Sequence, residues 1–342
     1  MTAPARRTPA EPFFLDANPG QRFCLYHAPS TIAPSPSAIG ALGGAATACR
    51  GALVMVHTFA EEMNRSRRMC AMQARALADA GIAVLVVDLY GCGDSSGDFG
   101  DARWQIWLDD LLLAKRWLEQ RCGVVAGYLG LRLGALLALN AAADASTPVG
   151  PLVLWQPVLR GATYLTQFLR LRQAAQLLSP RDVVVDRQAV SLSVGPGQAG
   201  STAAAQDRPN DARPQESEQA GAAIAGSTIA VHGSATLRQR LAAGASVEVV
   251  GYLLAAQLAA AIDAADVAHL DLQGQTIHWL DVAAESTAQI APARERGVAE
   301  LRQRGATVSF AQVAGPAFWA TAEIAEAPEL IAATVAVLAG PA

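Results

Sequence analysis

Three short stretches hold residues whose types and spacing could do chemistry. In the first, Val125–Leu139, an apolar strand runs through glycines directly into an apolar helix, with Gly130 and Gly134 framing Arg132. A strand-turn-helix of that kind presents an attacking hydroxyl when it reads Gly-x-Ser-x-Gly, the glycines allowing strain and close packing. Arginine cannot attack a carbonyl, because its guanidinium stays protonated and has no acceptor. The second stretch, Gly93-Asp94-Ser95-Ser96-Gly97, has the spelling without the context. It follows a strand but leads into Asp98-Phe99-Gly100-Asp101, so Ser95 reads as a turn and capping residue, with nucleophile as the minority alternative. Cys92 on the same loop reads as a small buried residue.

The third stretch is Val56-His57-Thr58-Phe59-Ala60-Glu61-Glu62. His57 at a strand end could tie its loop to backbone or take part directly in chemistry. Glu61 and Glu62 suit the start of a helix, where the dipole favours acids. Either could instead pair with Arg132, because a charge in a buried cleft needs a partner. A guanidinium at a helix N-terminus, beside backbone amides, also suits a carboxylate or phosphate.

These residues need a scaffold, and the chain has length for one large α/β domain with an insertion. Its 342 residues are 52% hydrophobic and 16% charged, which favours a sizeable core. The net charge of −4 and the absence of a basic stripe beyond Arg65-Ser66-Arg67-Arg68 argue against nucleic acid. No apolar run approaches the ~20 residues of a membrane span, and residues 1–14 lack the apolar region of a signal peptide. Five cysteines without a CxxC pair read as reduced thiols with no zinc site. A cytoplasmic protein without metal or cofactor is the resulting expectation.

Along the chain, Phe13–Leu15 and Arg22–His27 form a hairpin, and residues 28–50 a flexible insert. Buried strands are expected at 52–57, 82–88, the elbow strand and 151–155, with helices at 69–80 and 104–122. That alternation argues for a mostly parallel sheet flanked by helices. The pattern breaks after Trp155, so residues 1–156 are the first part of the core and 157–265 a cap insertion. Within the insertion, Tyr164–Leu178 reads as a helix, 186–229 as low-complexity disorder, and Val247–Tyr252 as one short strand followed by an alanine-rich helix. The core resumes over 266–342 with strands at 276–282 and 307–313 and helices at 293–304 and 328–338.

Val56–Met69, Asp88–Gly97, Gly130–Gly134 and Gly315-Pro316-Ala317-Phe318-Trp319 together resemble the exosortase A system-associated hydrolases, branch 2, of the α/β-hydrolase superfamily. The resemblance implies an α/β-hydrolase fold with a cap and membership of an ester or thioester hydrolase class. It also implies a partner protein in an exosortase and exopolysaccharide pathway. Its catalytic order is Ser, then Asp or Glu, then His after the last strand. Here the serine position is Arg132, and the last histidine, His278, falls before the expected place near Gly315–Trp319. Glu285 or Asp281 could supply the acid, but neither has a histidine to orient. The amides of Phe59 and Leu133 are the expected oxyanion donors. The expected ligand set is therefore His57, Phe59, Glu61, Glu62, Arg132 and Leu133, around an acyl or carboxylate group. One reading is a degenerate hydrolase that binds a ligand or partner; the other is an ester or thioester hydrolase built on His57 with Glu61 or Glu62. A dinucleotide site fails on glycine spacing, and a phosphate-binding P-loop lacks its Gly-Lys-Ser/Thr ending.

Overall fold

The computed structural model describes residues 9–30, 49–178, 234–286 and 289–339. Two strands, β1 (Glu11–Asp16) and β2 (Gln21–His27), open the chain as the expected antiparallel hairpin. Then follow β3 (Gly51–Val56), α1 (Ala60–Asp79), β4 (Ile82–Val87), α2 (Trp104–Cys122), β5 (Ala126–Leu131), α3 (Leu133–Ala143) and β6 (Leu152–Trp155). A further segment carries α4 (Gly161–Leu178), α5 (Ser234–Ala242), the hairpin β7 (Val247–Val249) and β8 (Tyr252–Leu254), and α6 (Ala256–Ala264). The chain closes with β9 (Thr276–Ala283), α7 (Pro292–Gln303), β10 (Thr307–Ala314) and α8 (Pro328–Ala339).

The main sheet has eight strands in the order β1-β2-β4-β3-β5-β6-β9-β10. From β4 to β10 every neighbouring pair is parallel, and the opening hairpin joins antiparallel through β2 and β4. Strands β3, β4, β5 and β6 are buried almost throughout, which explains their continuous apolar runs. One face packs on α2, α3 and the segment after β6, around Trp107, Leu111 and Leu136. The other packs on α1 and α8, around Met69, Leu77, Phe318 and Leu330.

Three local expectations need correction. Helix α1 begins at Ala60, not Met69, because Met63 and Ser66 continue its buried stripe and Glu61 and Glu62 occupy its first turn. The stretch 247–252 is two strands: Val250 and Gly251 both take positive φ, the geometry of a two-residue hairpin turn, and pair Val249 with Tyr252. Helix α5 was unexpected; Leu237 and Leu241, one turn apart, are its buried contacts. The segments 31–48 and 179–233, which include the expected low-complexity stretch 186–229, lie outside the described residues.

A buried ion pair fastens the opening hairpin to α2. Arg22 Nε donates to Asp110 Oδ1 at 2.7 Å, and both side chains are almost fully buried. Asp110 Oδ2 accepts from the Tyr90 amide at 2.9 Å, and the Arg22 guanidinium lies 4.7 Å from the Tyr90 ring centre.

Candidate functional site

The turn between β5 and α3 holds Arg132 at φ 54° and ψ −116°, a conformation that strains any side chain-bearing residue. Its neighbours are glycines for a packing reason. A Cβ on Gly130 would lie 2.5 Å from Ala135 Cα, and one on Gly134 would lie 2.5 Å from the carbonyl oxygens of both Val56 and His57. Helix α3 thus starts against the end of β3, which brings His57 and the elbow together. Gly134→Ala should cost about 1–3 kcal/mol in urea unfolding, since only a backbone shift makes room for the methyl.

Arg132 is held from several sides. Its Nε and Nη2 lie 3.5 Å from Glu62 Oε1, and Nη2 donates to Gln167 Oε1 at 3.0 Å. The guanidinium carbon is 5.9 Å from the ring centre of Tyr164 and 5.8 Å from that of Trp319, within reach of both π faces. Glu62 Oε2 in turn accepts from Tyr164 Oη and Thr58 Oγ1, each at 3.1 Å. Burial and the Glu62 carboxylate together push the Tyr164 phenol well above its ordinary value, so it stays a donor.

The partner of Arg132 is therefore Glu62 and not Glu61. One residue along a helix rotates a side chain by about 100°, and Glu61 points instead to Arg65 at 3.8 Å and to the Tyr252 hydroxyl at 3.2 Å. The basic run beside it is spent on tertiary contacts. Arg65 donates to the Ala320 carbonyl, Arg67 pairs with Asp88 and Arg68 pairs with Glu326.

His57 is buried, and its Nδ1 has no hydrogen-bond partner among the described residues. Burial lowers its pKa to about 4, despite the opposing field of Asp88. Phe59 precedes α1 in extended backbone, and its buried ring packs against Phe99, Trp107, Tyr164 and Phe168. Leu133 is the first residue of α3. A small cavity of about 10 Å³ lies between His57, Phe59, Trp104, Trp107 and Leu133.

Ser95 is tied into its loop. Its Oγ donates to the Asp88 carbonyl at 2.5 Å and accepts from the Phe23 amide at 2.9 Å, linking β4 to β2. Glu285 sits on an exposed bend after β9. Asp281, nearer the sheet, is buried; it accepts from Trp279 Nε1 and pairs with Arg294, each at 2.6 Å. Burial raises its pKa. After β10, where a histidine would stand, the chain places buried Phe318 and Trp319. Tyr164, Gln167, Thr58 and Trp319 are the site residues that sequence reasoning missed. Only the emptied histidine position pointed to Trp319, and nothing local marked the other three. Among the described residues, no cluster of three or more His, Cys, Asp and Glu could hold a metal ion, and no helix is long and apolar enough to cross a membrane.

The strand order, the alternation of strands and helices and the strained turn after β5 define an α/β-hydrolase fold. The model of a family described as serine aminopeptidase, S33, matches residues 47–214, just under half of the chain. Among solved structures, Est1E from Butyrivibrio proteoclasticus with bound ferulic acid superposes with a TM-score of 0.54 at 14% identity, covering 94% of this chain and 96% of that one. A soluble variant of the monoglyceride lipase from Saccharomyces cerevisiae, in complex with a substrate analogue, superposes at 0.53 and 11% identity, covering 99% and 97%. No curated protein matches the sequence.

Proposed function

We propose that this chain is a degenerate α/β-hydrolase that binds a carboxylate-bearing ligand at the elbow without cleaving it. The observation that carries the reading is the exchange at two catalytic positions: Arg132 stands at the nucleophile turn, and Trp319, where the late histidine would be, packs on its guanidinium. A cation fixed between two rings, with a long 3.5 Å contact to Glu62, can take a ligand carboxylate in a bidentate grip. The family resemblance adds a protein of the exosortase and exopolysaccharide pathway as partner, and the cytoplasm as the place of action.

A panel of acyl esters and thioesters, with a fluorophosphonate probe, tests this in the wild type, Arg132→Ala and His57→Ala. Neither turnover nor labelling is expected, and acetate added to the wild type should shift the NMR signals of the elbow amides but not in Arg132→Gln. Turnover that disappears in His57→Ala would instead establish an ester or thioester hydrolase working through His57 with Glu61 or Glu62.

A further inference from the structure

An open cleft lies beside the elbow, with no contribution from Phe59. It is a cleft of about 630 Å³ between Arg132, residues 157–167 and one face of α7, a size typical of small-ligand sites. Five arginines line it, Arg132, Arg160, Arg294, Arg296 and Arg304, against one acid, Glu300. This is a local excess of positive charge on a chain whose net charge is −4.

Their commitments differ. Arg160 is neutralised by Glu300 at 3.0 Å and Asp266 at 3.3 Å. Arg294 is held at 2.6 Å by buried Asp281. Arg296 and Arg304 are exposed and have no carboxylate partner among the described residues. Arg296 lies in α7 and Arg304 caps its C-terminus, about two helical turns further on, so their backbones stand roughly 12 Å apart. Gly297 lets α7 lie against the sheet: a Cβ there would meet Trp279 at 2.7 Å and Leu159 at 2.8 Å.

We infer that the cleft binds a small molecule with at least two anionic groups, carboxylates or phosphates, shared between Arg132 and the unpaired Arg296 and Arg304 that line the same cleft. The inference rests on the reading of the elbow as an anion site and extends it to the ligand's chemistry. One anionic group takes the Arg132 guanidinium, and the second is held by the two free guanidiniums. Arg160 and Arg294 stay with their carboxylates and line the cleft between. Multiple charge, not apolar area, supplies the affinity, so binding weakens steeply with salt.

Calorimetric titrations of the full chain at low salt with acetate, citrate and pyrophosphate test it, using wild type, Arg132→Gln and the double variant Arg296→Gln/Arg304→Gln. Citrate or pyrophosphate is expected to bind at least tenfold more tightly than acetate. The double variant should remove that advantage and leave acetate binding in place, while Arg132→Gln should weaken all three. Preference for citrate over pyrophosphate, or the reverse, separates carboxylate from phosphate ligands. Equal binding of acetate and citrate, unchanged in the double variant, would overturn the inference and leave the elbow reading intact. No anion binding to any form would overturn both. Thermal midpoints of the ligand-free variants within about 2 °C of the wild type exclude misfolding as the cause of a loss.

Discussion

Asp110→Ala is expected to lose about 3–5 kcal/mol of stability, the cost of leaving a buried charge without its partner. Arg22 would keep its bonds to the carbonyls of Pro19 and Gln21, but its Nε would face apolar surroundings, and its Nη2 already lacks a partner among the described residues. The Tyr90 amide would lose its acceptor as well. The measurement is urea unfolding, supported by a midpoint temperature lowered by roughly 10 °C. Burial raises the Asp110 pKa, against the pull of Arg22, so the carboxylate is already costly to hold and the loss comes from stranding Arg22. The companion experiment replaces both partners, Arg22→Met with Asp110→Leu, and should recover most of the stability. A single variant within about 1 kcal/mol of the wild type would show that the pair does not hold the hairpin to α2.

The second large effect is acid lability centred on His57. The folded-state value is about 4, against 6.5 for the unfolded chain. Between those values the unfolded state binds more protons, so stability falls as pH falls from about 6.5 towards 4 and is fully retained above. The shift corresponds to a loss on the order of 3 kcal/mol. His27 and His278, also lowered by burial, act in the same direction. The informative quantity is therefore the difference between wild type and His57→Gln, measured by urea unfolding at pH 7 and pH 4.5. Wild type should lose stability over that interval faster than the variant. Parallel pH profiles would mean that His57 does not carry the proton linkage, for instance because it is protonated and paired with Asp88.

Much of the scaffold was legible because it is written locally. The apolar runs of β3 to β6 follow from burial on both faces, and their alternation with helices leaves few topologies open. The glycine frame of the elbow was readable because only glycine tolerates a backbone oxygen 2.5 Å from its Cβ position. The start of α1 was misplaced because the polar residues of its first turns hid a buried stripe, and the hairpin at 247–254 because its turn lacks the usual Asn-Gly signal.

The sequence by itself determined the glycine-framed elbow with Arg132 at its centre, and that no histidine follows His278. It also offered Glu61 or Glu62 as a partner for Arg132. The tertiary structure alone decided that Glu62 and not Glu61 faces Arg132, and that Trp319, after β10, lies over the guanidinium. It also decided that Arg296 and Arg304, 164 and 172 residues further along, line the same cleft as Arg132. The reason is physical: burial period and backbone sterics act between near neighbours and leave a mark in every short stretch. Which side chains meet depends on how helices α1, α4 and α7 dock on the sheet, and that is settled by packing among residues distant in the chain.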